Sequence, residues 1–168
     1  MKTEQYNAML GWFRARPAAR RALRIASTGA VAAVYVLYAG LLGWLLWQSS
    51  PLLPGEVLVP AVVFVAGSVL RKAINRPRPY ETLGFAPLFP KDTRGQSFPS
   101  RHCFSAACIA VAAWFACPPL AAVLGVLGCV IAVSRVLSDV HYPSDVLAGL
   151  AFGAAASGLG FAVFFAIC

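Results

Sequence analysis

Long apolar stretches without charged residues alternate with short polar segments along most of this chain. The first stretch, from Ile25 to Gln48, exceeds the roughly 20 residues that a helix needs to cross a bilayer. The second begins near Val57 and ends before residues 76–79, where the two prolines of an Arg-Pro-Arg-Pro segment must terminate a helix. Both stretches predict transmembrane helices.

The next apolar stretch predicts a helical hairpin. No charged residue occurs between Cys103 and Ser134, and Pro118-Pro119 divides the stretch in two. We expect the two legs of the hairpin at roughly residues 99–117 and 120–140. They reach the length of a membrane span only if the residues at their polar ends are helical.

The last span is expected from Asp145 to Cys168. Gly149, Gly153 and Ser157 recur every four residues along it, which predicts a face of small residues for close contact with a neighbouring helix. The whole pattern predicts an all-α, polytopic transmembrane bundle of about five spans, preceded by an N-terminal amphipathic helix.

Composition supports a membrane protein and excludes two other classes. Hydrophobic residues make up 60% of the 168 residues and charged residues 12%, whereas soluble domains average about 45–50% and 25%. A water-soluble globule and a disordered chain are therefore excluded. We interpret residues 1–24 as a basic interfacial helix and residues 25–168 as the transmembrane domain.

The net charge of +8 is concentrated in residues 1–24 and 71–101. The first segment mixes arginines with Trp12 and Phe13, which is typical of a helix lying against anionic headgroups. Positive charge favours the cytoplasmic side, so we expect the N-terminus there in a multi-pass protein of the cell membrane. With five spans, the polar ends of spans two to five lie on that same side, so the site is expected to face the cytoplasm. An outward-facing site would need the N-terminus outside or a sixth span.

Three polar clusters should therefore meet at one membrane face. They are residues 71–79, residues 97–102 and residues 134–145, and each contains arginine. Ionisable side chains at membrane level mark functional sites by default, and neighbouring guanidinium groups repel one another unless a polyanion lies among them. The planar guanidinium matches pairs of phosphate oxygens. The clusters predict a phosphate pocket at headgroup depth.

The second cluster adds backbone donors. Pro99 is suited to the first turn of a helix, so the N–H groups near Ser100, Arg101 and His102 would point out of the helix terminus. Such a terminus is a ready anion site. His102 could give or take a proton at the same phosphate.

The third cluster predicts a nucleophile. His141 and Asp145 are four residues apart, with Pro143 starting the last helix between them. We expect Asp145 to reach one imidazole nitrogen, to fix the tautomer and to raise the basicity of the other nitrogen. A histidine held in this way can attack phosphorus directly, while His102 protonates the leaving oxygen.

The clusters resemble the motifs of the type 2 phosphatidic acid phosphatase family, lipid phosphatases that share a core with vanadium haloperoxidases. That family carries K-x6-R-P, then P-S-G-H, then S-R-x5-H-x3-D. Arg71-x6-Arg78-Pro79 is similar to the first motif, with arginine where lysine is usual and Lys72 one place off as a substitute. Residues 99–102 are similar to the second, with Arg101 replacing glycine. The third motif is present in full as Ser134-Arg135-x5-His141-x3-Asp145.

The resemblance covers the motif-bearing core, residues 57–168, and implies a lipid phosphatase domain. It implies a phosphohistidine intermediate on His141 and protonation by His102. It also implies no metal and no cofactor, in agreement with a sequence that has no carboxylate cluster suited to Mg²⁺. Bacterial members commonly have six spans, one more than predicted here. The candidate phosphate-binding residues are Arg71, Lys72, Arg78, Ser100, Arg101 and Arg135.

Three functions are consistent with such a site. The leading one is hydrolysis of a lipid phosphate, such as a polyprenyl diphosphate of the undecaprenyl type, phosphatidate or phosphatidylglycerophosphate. A lipid phosphotransferase would pass the phosphoryl group from His141 to another lipid. A non-catalytic lipid-phosphate binder or transporter would need neither histidine.

Two further expectations concern partners and the remaining charges. Nucleic-acid binding is not expected, because the chain offers no soluble domain to present its basic residues. The pattern gives no indication of oligomeric state. Arg76, Lys91 and Arg94 are interpreted as charges facing water or lipid headgroups.

Overall fold

Seven helices form the regular structure of the residues that this computed structural model describes, which are 3–84, 86–90, 93–138 and 140–167. They are α1 (Thr3–Arg14), α2 (Pro17–Trp47), α3 (Leu53–Ile74), α4 (Pro79–Thr82), α5 (Arg101–Ala116), α6 (Pro118–Leu137) and α7 (Pro143–Ile167). No strand occurs in these ranges, which confirms the predicted all-α class. A proline occupies one of the first two positions of α2, α3, α4 and α6, where its missing N–H costs no hydrogen bond.

Four of the described helices, α2, α3, α6 and α7, are long and apolar enough to cross a membrane. The leg predicted from residue 99 begins instead at Arg101 and forms α5, which has 16 residues, or about 24 Å at 1.5 Å per residue. The five predicted spans are thus four spans and one shorter apolar helix. Ser100 stays extended and outside α5, and its N–H donates to the backbone oxygen of Asp145 at 2.9 Å.

α5 packs against α2, α3, α6 and α7. Its side chains Cys103, Phe104, Ala112 and Ala113 are fully buried. Contacts with neighbouring helices, rather than the thickness of the lipid, therefore set its position, so its short length carries little cost of hydrophobic mismatch.

The N-terminal basic segment is divided between two helices. α2 begins eight residues before the predicted first span, so residues 17–24 continue directly into that span. In α1, Tyr6 and Leu10 are buried, and the Tyr6 ring meets Tyr142 edge-on with 6.5 Å between ring centroids. α1 thus packs against the protein through these side chains, and the arginines at positions 20, 21 and 24 belong to α2.

The small residues of α7 lie against α5, as the sequence predicts. A Cβ atom on Gly153 would lie only 2.2 Å from the backbone oxygen of Phe104, and Gly149 is similarly crowded. One turn further on, the Ser157 hydroxyl donates to the backbone oxygen of Cys108 at 3.2 Å. The two helices therefore touch backbone to backbone, which is the use of small residues in membrane bundles.

We expect Gly153→Ala to destabilise the protein, because the new methyl group would overlap the Phe104 carbonyl of α5. Overpacking of this kind costs about 1–3 kcal/mol. Thermal unfolding in detergent measures the effect. Gly158→Ala is the matched control on the same helix, because nothing lies within 4 Å of its added Cβ atom. Equal unfolding midpoints for the two variants would contradict the tight α5–α7 contact.

Candidate active site

The predicted polar clusters meet at one end of the bundle. The Arg71 guanidinium, in the last turn of α3, donates to the backbone oxygen of Pro99, just before α5. The Ser100 N–H is bonded to the backbone oxygen of Asp145, in the first turn of α7. These contacts join the C-terminal end of α3 to the N-terminal ends of α5 and α7.

His141 and Asp145 form the centre of this end, but through an intermediary. His141 is 2% exposed and Asp145 is fully buried. The distance from His141 Nδ1 to Asp145 Oδ2 is 3.8 Å, too long for the direct hydrogen bond that the sequence predicts. The Ser97 hydroxyl lies between them: it donates to Asp145 Oδ2 at 2.5 Å, and its oxygen is 3.3 Å from His141 Nδ1.

This arrangement selects one tautomer of the imidazole. The Ser97 hydroxyl gives its only proton to the carboxylate, so its oxygen can only accept from His141 Nδ1. The proton of the neutral ring is then on Nδ1, and the lone pair is on Nε2. The backbone N–H of Tyr142 also donates to Asp145 Oδ2, at 3.1 Å, and fixes the carboxylate.

Arg76 holds the other oxygen of the carboxylate. Its Nη1 donates to Asp145 Oδ1 at 2.6 Å and to Ser144 Oγ at 3.1 Å. Its guanidinium lies over the Tyr142 ring, 4.4 Å from the centroid. The interpretation of Arg76 as a charge facing water or headgroups is therefore wrong. Lys91, interpreted in the same way, lies outside the described residues.

Arg76 and Ser97 reach the same carboxylate because their backbones are paired. The Ser97 N–H donates to the Arg76 backbone oxygen at 2.8 Å, and the Gln96 N–H donates to Asn75 Oδ1 at 3.2 Å. Asn75 ends α3 with a left-handed φ of 44°. Gly95 is required beside it, because a Cβ atom there would lie 2.4 Å from Asn75 Oδ1 and its own φ is +63°.

Burial lowers the pKa of His141 from its usual 6.5 to about 4, because desolvation disfavours the imidazolium. The nearby charge of Asp145 acts in the opposite direction, while the positive charges of Arg78 and Arg71 reinforce the lowering. His141 is therefore neutral at pH 7, which is the protonation state that a nucleophile needs.

Two buried arginines flank this histidine. Arg71 is 6% exposed and Arg78 is 5% exposed. Arg78 Nε donates to the backbone oxygen of Gly95 at 3.0 Å, and its Nη1 donates to that of Val140, next to His141, at 3.3 Å. A guanidinium has five N–H donors, so each arginine fixes a loop and keeps donors for an oxyanion.

The remaining predicted phosphate-binding residues differ in their surroundings. The Ser100 hydroxyl is buried, and no hydrogen-bond partner is found for it among the described residues. Lys72 and Arg101 are exposed. Arg135 Nη2 donates to Ser27 of α2 at 2.5 Å, while its buried Nε lacks a partner within the described part of the chain.

His102 lies in the first turn of α5 and is partly buried. It lines a small cavity with Val34 and Tyr35 of α2 and Ile131 of α6. Within the described ranges, no group of three or more His, Cys, Asp or Glu side chains is placed to hold a metal ion.

Comparison with known proteins matches a region of the chain that contains all the site residues from Arg71 to Asp145. The pattern of the PAP2 superfamily matches residues 55–167. A lipid A 1-phosphatase of Rhizobium johnstonii is 36% identical over 107 residues, 60% of this chain and 43% of that protein. One of Rhizobium etli is 34% identical over 106 residues, 59% of this chain and 45% of that protein. The chain thus spans less than half the length of these curated relatives.

Two solved structures share the fold. A transmembrane PAP2-type phosphatidylglycerolphosphate phosphatase from Bacillus subtilis superimposes with a TM-score of 0.64 at 23% identity, covering 97% of this chain and 94% of that one. Aquifex aeolicus LpxE superimposes with a TM-score of 0.71 at 24% identity, covering 94% and 93%. Both similarities extend over the whole bundle, including helices that precede the matched pattern.

Proposed function

Because the chain belongs to the PAP2 superfamily, we propose that it is a membrane lipid phosphatase that works through a phosphohistidine on His141. The observation that carries this proposal is the buried imidazole of His141, held through Ser97 by Asp145. Arg71 and Arg78 lie close enough to influence its charge and carry donors for a phosphate.

In the first step, Nε2 of His141 attacks phosphorus, and the bond from phosphorus to the lipid oxygen breaks. His102 gives its proton to that leaving oxygen. Water, deprotonated by His102, then attacks the phosphohistidine and releases inorganic phosphate. Arg71, Arg78 and Arg135 stabilise the equatorial oxygens in both steps, because charge on the transferring group is the main obstacle to phosphoryl transfer.

The substrate is a phosphate carried by a lipid, since the site lies at the end of a bundle of apolar helices. Polyprenyl diphosphates, phosphatidate, phosphatidylglycerophosphate and sugar 1-phosphates of the lipid A type all meet this requirement. The test is phosphate release from this panel by the detergent-purified protein with EDTA present. Release from none of them by folded protein contradicts the proposal. Transfer of label to an added lipid, without release of phosphate, indicates a phosphotransferase.

We further propose that the site opens on the cytoplasmic side of the cell membrane. The basic N-terminal segment, residues 3–24, lies at the same end of the bundle as the site: Tyr6 contacts Tyr142, and Arg14 donates to the backbone oxygen of Ala86 at 2.6 Å. Positive charge flanking a span favours the cytoplasmic side. Because the site is at the same end of the bundle as this charge, it faces the cytoplasm too.

The low pKa of His141 predicts an unusual acid limb in the activity. We expect kcat/KM to hold its plateau down to about pH 5 and to fall by half near pH 4, where the nucleophile becomes protonated. The unfolded chain binds this proton near its ordinary value of about 6.5, so stability also declines below that pH. Initial rates must therefore be measured on protein shown to be folded. A half-maximal rate near pH 6.5 would mean that His141 is hydrated in the working enzyme.

A further inference from the structure

A cavity of about 270 Å³ lies beside the candidate active site, and Arg135 is the member of the family motifs among its lining residues. It is bounded by the start of α2, the loop that follows α4 and the end of α6. Its polar lining consists of Arg24, Ser27, Thr28, Arg135 and Ser138. Two guanidinium groups and three hydroxyl groups are all hydrogen-bond donors, and no carboxylate occurs among the described residues that line the cavity.

The donors in this cavity are partly fixed and partly unused. Arg135 Nη2 is tied to Ser27 Oγ at 2.5 Å, but its buried Nε lacks a partner among the described residues. The Arg24 guanidinium lies over the Phe89 ring, 5.9 Å from its centroid, which keeps it beside the opening. Leaving a buried donor unpaired is costly unless a ligand completes it. An oxyanion of the phosphate class satisfies both arginines.

The wall of the cavity adjoins the residues next to His141. Val140 forms part of its wall and directly precedes His141, and the Val140 backbone oxygen accepts from Arg78 Nη1 at 3.3 Å. A group bound in the cavity would therefore lie next to a phosphate held by Arg78. Arg24 and Thr28 belong to α2, which precedes the region matched by the family pattern.

We propose that this cavity is a second phosphate subsite and that Arg24 makes the enzyme prefer lipid diphosphates over lipid monophosphates. The inference rests on the proposed function. His141 attacks the terminal phosphorus, the bond to the bridging oxygen breaks, and His102 protonates that oxygen. The lipid monophosphate leaves with its phosphate in the Arg24 cavity, and water releases the terminal phosphate from His141.

The experiment compares farnesyl diphosphate with farnesyl monophosphate, which share one lipid chain. Arg24→Gln should lower kcat/KM for the diphosphate about tenfold more than for the monophosphate, mainly through KM, because one charge-assisted hydrogen bond is lost. Arg20→Gln is the matched control, since Arg20 is an exposed arginine of the same helix that does not line the cavity. An equal loss on both substrates, or no loss on either, overturns the subsite.

A binding measurement separates this inference from the proposed function. Calorimetry of the purified protein with inorganic pyrophosphate and with inorganic phosphate requires no turnover. Arg24→Gln should weaken pyrophosphate binding about tenfold more than phosphate binding. If no lipid is hydrolysed but this difference is found, the proposed function fails and the subsite stands. Equal pyrophosphate affinity in wild type and Arg24→Gln overturns the subsite whatever the activity.

Discussion

His141→Ala is expected to abolish phosphate release, with a loss on the order of 10⁴-fold or more, because it removes the atom that forms the bond to phosphorus in the proposed mechanism. The fold should survive, because Ser97 still donates to Asp145 Oδ2 and Arg76 still holds Asp145 Oδ1. The measurements are initial rates on the best lipid substrate and thermal unfolding of the same preparation. Full unfolding stability with no turnover is the predicted combination.

His102→Ala is the comparison variant, because it removes the proposed general acid and leaves the proposed nucleophile in place. An aryl phosphate with a good leaving group needs no proton on its departing oxygen. Such a substrate should restore the first step in His102→Ala but not in His141→Ala. Phosphate release by His141→Ala at more than a few per cent of the wild-type rate would exclude the phosphohistidine mechanism.

Asp145→Asn should reduce kcat by about 10³–10⁴-fold, as expected when an orienting carboxylate is lost. The carboxylate accepts from Ser97 and Tyr142 on one oxygen and from Arg76 on the other. An amide can keep only one of these oxygens as an acceptor, so its nitrogen would face a donor. The imidazole would then be free to adopt the wrong tautomer.

Ser97→Ala tests whether the serine acts by linking His141 to Asp145. We expect a smaller loss, about 10–100-fold, and a double variant Ser97→Ala/Asp145→Asn no slower than Asp145→Asn alone, because residues that act as a unit are not additive. The acid limb of the pH profile should shift in Ser97→Ala, which a merely structural role would not produce. Ser68→Ala, an exposed hydroxyl bonded within its own helix, is the control. A multiplicative loss in the double variant, or wild-type rates in Asp145→Asn, would contradict the proposal that Ser97 and Asp145 orient His141 as one unit.

Features that depend on the local chain were predictable from the sequence. The apolar stretches, the break at Pro118 and the small-residue face of α7 follow from the chain alone. The start of α2 at Pro17 was not predictable from charge, because arginine stems can lie along apolar surface while their heads reach water. The start of α5 was missed because a contact with α7, distant in sequence, removes Ser100 from the helix.

The same distinction applies to the site. His141 and Asp145 could be found because their spacing brings them together within one turn. Ser97 and Arg76 could not, because their roles depend on two loops pairing and then reaching the start of α7. The one signal in the sequence was the position of Arg76 between the predicted phosphate-binding residues Arg71 and Arg78, next to prolines that fix the backbone. A solvated arginine does not need such a rigid setting.

The contact between Ser100 and Asp145 also has a consequence for biogenesis. α5 and α6 can enter the membrane as a hairpin while the chain is still being synthesised, and the arginines of α3 are already in place by then. The oriented histidine, however, exists only after α7 has inserted and its first turn has docked on the start of α5. In the proposed mechanism, catalysis therefore requires that α7 has inserted, and a bundle that still lacks α7 does not have the oriented histidine that attacks lipid phosphates.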